Sequence, residues 1–460
     1  MNFDVKAITA GPRHHFFGFH DLVEWNAKGD LMLGLEVEAI AHPPLPGESA
    51  LSGVIKPDTG EFAPIHATGA FNYPQGSRQQ WVGESDLVLT NDRSGGRCVC
   101  RISDARDLRI VETLPFPVHC HDAGTYAAYY VNYDRLYRVG GYGYIGGRDP
   151  FSDEDVPNRC GVYKGNLKTG EAGVLVSIAE VAACGEAAPV KTGYPHYVTH
   201  LALNPSKNRL AFLHRYRVVD GGEITRLMTI GTDGSALRCL AKGFLSHFDW
   251  LDDSTIFIWG QDERALCRFR EAAWLRVPGV LQAALISKRL MRGLRSLRRT
   301  TVLPLTSASK VQGKTFLRIS DQERPMIQPV GVGILTEDGH PMLNPKYHNI
   351  LVNDTYPNEN KTRTLMVFDW EAGKRTDLGY FRMSDERPNI STFDRDAVFL
   401  GVDARIRQKF STDLFLFTRS GLHCDLHPRW SGNGKQVAFD SIHEGRRQIY
   451  TIAVPVSEAR

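Results

Sequence analysis

One short pattern returns along this chain and constrains its fold more than any other feature. A histidine is followed three residues later by a large apolar residue, then by a polar turn and an apolar strand. The pattern occurs in THLALNPSKNRLAFLHR (199–215), SHFDWLDDSTIFIWG (246–260), GHPMLNPKYHNILVND (339–354) and LHPRWSGNGKQVAFDS (426–441). Three copies lead into a further strand and turn: RLMTIGTDGS (226–235), RTLMVFDWEAGK (363–374) and RQIYTIAVP (447–455). Strand and turn repeating at this period is the signature of propeller blades. Weaker copies fill the front half, at 19–36 with 52–61, 78–92 with 97–104, and 121–132 with 160–171. The expected fold is all-β, a seven-bladed β-propeller of four-stranded blades, as a single domain over 1–460. Six or eight blades are the alternatives, because the fifth unit is hard to complete. The last unit shows three strands, and DVKAI (4–8) is placed to supply a fourth and remove an exposed edge. A β-sandwich, the rival fold, accounts for the strands but not for a histidine at one fixed repeat position.

Residues 268–302 break the pattern and are expected to be a helical insertion between blades 5 and 6. Within them, 285–301 reads as a basic helix, with Leu290, Leu294 and Leu297 on one face and six cations around it. A solvated insertion is the plainer reading. Contact with an anionic surface, an acidic glycan or a partner is the alternative. The net charge of +3 over 460 residues argues against a general nucleic-acid binder. No run of about 18 apolar residues occurs, so no transmembrane segment is expected. The first residues lack an apolar stretch of signal-peptide type. The eight cysteines are scattered without a CxxC pair, and the expected location is cytoplasmic with reduced thiols.

A propeller gathers equivalent residues of successive blades around one axis. His200, His247, His340 and His427 should therefore meet at one mouth of the channel. In LHCDLHPRW, His423, Asp425 and His427 alternate, so in a strand they face one side. Imidazole and carboxylate donors suit a divalent metal such as zinc, manganese or iron. The competing reading is a set of buried, hydrogen-bonded polar residues. RHHFFGFHD places His14, His15, His20 and Asp21 near the first blade, and PVHCHD adds His119 and His121 near the third. His15, His20, His196 and His340 are candidate substrate-binding residues.

These segments resemble those of oligogalacturonate lyases, seven-bladed propellers with a manganese site, most clearly from about residue 159 onward. The resemblance implies that His200, in THLALNP, is the catalytic base. It also implies that His247, in SHFDW, is a metal ligand. His427-Pro428 matches the end of that family's Gln-x-x-His-x-His-Pro motif, and KQVAF (435–439) follows it. The middle histidine of the motif falls on Asp425 and the glutamine on Leu422, with His423 one place along. A carboxylate there makes magnesium or calcium more competitive with manganese. The family's functional arginine precedes a Leu-Lys-Thr-Gly-Glu turn. LKTGE stands here at 167–171, with Arg159 about two residues from the matching place. The function implied is metal-assisted β-elimination on an acidic, uronic-acid-containing oligosaccharide. The alternative is a non-catalytic propeller that binds glycans or proteins, and a hydrolase with paired carboxylates ranks behind both.

Overall fold

In a computed structural model, residues 3–186, 190, 192–272, 313–409 and 411–455 are described. Strand is their main regular structure, arranged as antiparallel meanders that follow chain order. His14–Phe16, Met32–Val37, Ala50–Ile55 and Phe62–Thr68 form the first sheet. Gln80–Trp81, Leu87–Ser94, Arg97–Asp104 and Arg109–Leu114 form the next. Cys120–Asp122, Ala127–Val131, Gly161–Asn166 and Ala172–Ser177 follow. A seven-stranded sheet runs from Tyr197–Leu203 to Ile327–Val330. After it come Met342–Leu343, Ile350–Asp354, Thr362–Asp369 and Lys374–Arg382. The last sheet holds Arg429–Trp430, Gln436–Ser441 and Gln448–Ala453, and Val5–Ala7 pairs with its outer strand, Val5 opposite Ile452. This is β-propeller architecture, closed by the N-terminal strand as the sequence led us to expect.

The long sheet explains why the fifth repeat unit was hard to complete. Arg238–Trp250 is a 13-residue strand. Its first part pairs with Glu223–Gly231 and its second part with Thr255–Asp262, with a register shift between Leu245 and Phe248. One strand thus ends one meander and opens the next. The turn that normally separates such strands is absent.

Apolar side chains pack between neighbouring sheets. One cluster joins Trp25, Leu33 and Val54 to Trp81 and Val88 on one side and to Ala438 and Ile449 on the other. The inner strands are also tied to each other directly. Trp81 Nε1 donates to the Glu24 carbonyl at 2.7 Å, Trp250 Nε1 to Ala202 at 3.0 Å, and Trp430 Nε1 to Met342 at 3.2 Å. These indoles sit at one repeat position, which Leu203 and Leu343 also occupy, because each is followed by a matching turn hydrogen bond. Three residues upstream stand Arg78, His200, His247, His340 and His427. The ring tie therefore fixes where the histidines fall.

Helix is more widespread than the sequence reading allowed. The described part of the expected 268–302 insertion is the end of helix Arg264–Glu271, and the basic segment 285–301 lies outside the described residues. Five further short helices stand elsewhere: Tyr133–Arg138, Ile178–Ala183, Arg395–Val398, Ala404–Arg407 and Thr412–Arg419. Each has a side-chain N-cap, from Asn132, Ser177, Asp394, Asp403 and Ser411. At Ser177 the cap is a full capping box with Glu180. The segments around 133–158 and 384–424 meet through Arg138–Asp403 at 2.6 Å, Arg405–Asp155 at 2.8 Å and the Tyr137 hydroxyl on the Val398 carbonyl. His423 lies at the end of the second segment, and Asp425 follows it. Among the described residues, no helix is long and apolar enough to cross a membrane.

Candidate functional site

The four repeat histidines come together around Phe19. The Phe19 ring lies 5.0 Å from His200 in a stack, 5.0 Å from His427, 6.1 Å from His247 and 6.2 Å from His340. Along the ring, His200–His247, His247–His340 and His340–His427 centroids are 6.4, 4.2 and 4.3 Å apart. His20, 4.3 Å from Phe19, sits between them, fully buried, with neither ring nitrogen hydrogen-bonded. The local backbone is unusual here. His200 has φ 55°, His427 φ 43° and Arg78 φ 56°, all left-handed. For non-glycine residues this costs about 1–2 kcal/mol each. A register break between Thr199 and Ala202 accompanies the His200 turn. Strain at one repeat position on several strands is typical of side chains held for a task.

Three of these residues converge on one point. The donor atoms of His340, Asp425 and His427 all lie within 4.8 Å of one another. His340 Nδ1 donates to Asp354 Oδ1 at 2.7 Å, and its backbone N–H donates to the same oxygen at 2.8 Å. His427 Nδ1 donates to the Gly18 carbonyl at 2.8 Å. Both partners fix the tautomer and leave Nε2 as the free donor, the arrangement found behind metal-bound imidazoles. Asp425 also meets the Arg363 guanidinium at 2.7 Å and His423 Nε2 at 3.4 Å. Two imidazoles and a carboxylate with open positions suit manganese, iron or zinc.

This set differs from the expected one in its second imidazole. His247 packs on His340 with its Nδ1 on Asp338 Oδ1 at 3.1 Å, and it is not among the residues whose donor atoms lie within 4.8 Å of one another. His423 touches the carboxylate without joining the group. The DGH and VND sequences bring Asp338 and Asp354 against the two rings, a pairing of imidazole and carboxylate common to both. It is visible only once strand register is known.

Burial controls the charges. It drives the His20, His200 and His427 imidazoles well below their usual range, and it lowers His247 less, helped in each case by neighbouring imidazoles. For His340, burial is outweighed by Asp354, so its imidazole is pushed up. For Asp425, burial is outweighed by His423 and Arg363, which hold the carboxyl well down.

Other expected site residues lie elsewhere. His15 is buried between Gln448 Oε1 at 2.9 Å and Glu36 Oε2 at 3.1 Å, in the closure between first and last sheets. His196 is buried against His214, Nδ1 to Nε2 3.1 Å, and stacks on Tyr216 at 4.5 Å. Arg159 is exposed, with its guanidinium 5.8 Å from the Phe151 ring. LKTGE is the hairpin turn between Gly161–Asn166 and Ala172–Ser177, at the other end of that strand from Arg159. Sequence reading also missed Tyr356, Arg363 and Arg215 around the histidines. None of them carries a repeat signal.

No protein-family model matches this chain, and no curated protein matches it in sequence. Solved structures do resemble it. An oligogalacturonate lyase from Vibrio parahaemolyticus superposes with a TM-score of 0.55 at 13% identity, covering 99% of this chain and 95% of that one. An oligogalacturonate lyase in complex with manganese gives 0.54 at 14% identity, covering 98% and 93%. The chain therefore has a distant resemblance to oligogalacturonate lyases over nearly its whole length. At this identity the shared property is the β-propeller fold.

Proposed function

We propose that this chain is a seven-bladed propeller lyase that cleaves uronic-acid-containing oligosaccharides by metal-assisted β-elimination. The blade count follows if the shared strand Arg238–Trp250 is divided between two blades, each then four-stranded like the others. The observation that carries the reading is a metal-competent triad, His340, Asp425 and His427, in one cluster with an uncharged His200. The manganese complex of a lyase with the same fold supports manganese as the first metal to test.

His200 is the base. It is neutral at physiological pH because burial and the Arg215 charge disfavour its cation. Gln75 lies 3.5 Å from its Nδ1. With the amide oxygen turned inward, Nδ1 keeps its proton and Nε2 keeps its lone pair. His200 takes the proton from C5 of the uronate, the electron pair becomes the C4–C5 double bond, and the C4–O4 bond breaks. The leaving oxygen collects a proton from water. A bound metal supplies charge neutralisation of the uronate carboxylate, which makes the C5 proton acidic. A cytoplasmic setting fits eight free cysteines and short oligosaccharides.

The alternative is a non-catalytic propeller whose histidines only fill the channel. Its support is burial: His340 and His427 are each 1% exposed. For a lyase, the buried cluster must open to admit the ligand. Incubation with oligogalacturonates and oligoglucuronates plus manganese separates the readings. A lyase forms ultraviolet-absorbing unsaturated uronate, and a scaffold forms none.

A further inference from the structure

We infer that Arg215 is the residue by which this site recognises a carboxylate on its ligand, a specificity role that rests on the uronate reading above. Arg215 stands on Arg209–Arg217, opposite Tyr197 on one side and Thr225 on the other. Tyr197 lies three residues before His200. The one backbone contact of the guanidinium is the carbonyl of Leu245, two residues before His247, at 3.4 Å. Arg215 therefore spans the starts of the two inner strands that deliver His200 and His247.

Its side chain is 17% exposed, and its partners lie at long range. Glu223 Oε1 is 4.0 Å from Nε, beyond hydrogen-bond reach, and Nε is buried with no hydrogen bond. The nearby Tyr197 hydroxyl donates to Glu223 at 2.8 Å. Three buried arginines of this chain are matched to carboxylates at contact distance. Arg78 is bidentate on Asp21 at 2.7 and 2.9 Å, and Arg429 meets Glu24 at 2.9 Å and Asp440 at 2.8 Å. Arg363, across the cluster, meets Asp425 at 2.7 Å. Arg215 alone among these lacks a carboxylate at contact distance. A guanidinium presents five N–H donors in a rigid planar fork that matches a carboxylate. Tyr197 and Glu223 already favour its cation, yet with Nε unbonded the guanidinium keeps donor capacity for a ligand anion. Its field reaches both imidazoles, since Arg215 depresses His200 and His247. The proton removed in β-elimination is on the carbon bearing the carboxylate, so a carboxylate held at Arg215 is held beside His200.

The test is a cycle between side chain and ligand, on the full chain with manganese present. The probes are the methyl glycosides of galacturonic and glucuronic acid, which have no 4-linked sugar to lose, and their C6 methyl esters. Binding is measured by calorimetry for the unaltered protein, Arg215→Ala and Arg215→Lys. Esterifying the better-bound acid is expected to weaken it about 10- to 100-fold in the unaltered protein, as for a lost charge-assisted hydrogen bond. Arg215→Ala should weaken the acid by a similar factor, and in that variant esterification should change affinity less than about threefold. Arg215→Lys should restore part of the loss. A purely structural arginine would lower affinity for acid and ester alike. Equal ester penalties with and without Arg215, or failure of the unaltered protein to bind either acid, would overturn the assignment. If Arg215→Ala does not melt cooperatively, Arg215→Lys and Arg215→Gln carry the cycle. Because the probes cannot be cleaved, a coupled cycle without unsaturated product from oligomers defeats the lyase reading and leaves Arg215 standing.

Discussion

Replacing Asp354 with Asn is the narrowest perturbation of the metal-competent triad. Asp354 Oδ1 holds both the backbone N–H and Nδ1 of His340, at 2.8 and 2.7 Å, while Oδ2 is buried and makes no hydrogen bond. Asparagine can keep its oxygen on both donors and place its amide where Oδ2 stands. The change therefore removes charge with little change of shape. What is lost is the carboxylate that fixes the His340 tautomer and raises its basicity as a ligand. Loss of such a supporting carboxylate typically costs 10- to 100-fold in metal affinity, or about 1.4–2.7 kcal/mol. His340→Ala, which removes a donor, should weaken manganese binding further than that. His247→Ala should change it by less than about threefold, because His247 lies outside the triad. Affinity would be read by electron paramagnetic resonance of free manganese during titration, with thermal melts to confirm folding. Loss of binding in His247→Ala with retention in His340→Ala would refute the triad as drawn.

Other expectations follow from burial. His14 and His121 are lowered to about 4 and His196 to about 3, each mainly by desolvation, and His20, His119, His200, His214 and His427 are also held down. Below pH 6.5 the unfolded chain binds protons that the folded chain refuses. Each such histidine then removes up to about 1.4 kcal/mol of stability per pH unit as the pH falls toward its folded value. Urea midpoints should thus be level above about pH 7 and fall steeply below 6.5; a flat profile down to pH 5 would contradict this burial. Arg429→Met should destabilise the fold by about 3–5 kcal/mol, because it leaves Glu24 and Asp440 buried without their shared cation. A loss under 1 kcal/mol in denaturant titration would show that the closing network carries little.

The sequence carried the ring and the meeting of its histidines for a simple reason. Both depend on a local repeat, and propeller geometry converts a repeat position into a place on the axis. The closure by Val5–Ala7 was legible because a last blade short of one strand needs a partner. The choice of His340 over His247 was not, because both hold the same repeat position and only the placement of their ring nitrogens separates them. Arg159 was placed by a hairpin motif that recurs on the outside of a blade, which fixes a turn and says nothing of the channel. The cap at 384–424 has no repeat and only short helices, so its caps at Asp394, Asp403 and Ser411 were the sole local signal.

The central claim is that His200 and the triad together perform a β-elimination. The most direct measurement is ultraviolet absorbance during incubation of the manganese-loaded protein with oligogalacturonate and oligoglucuronate, alongside His200→Ala. The account expects unsaturated uronate from at least one of these substrates, and loss of about 100-fold or more in rate for His200→Ala with manganese affinity unchanged. No absorbing product from either substrate at any manganese concentration, in protein that binds the metal, would contradict it.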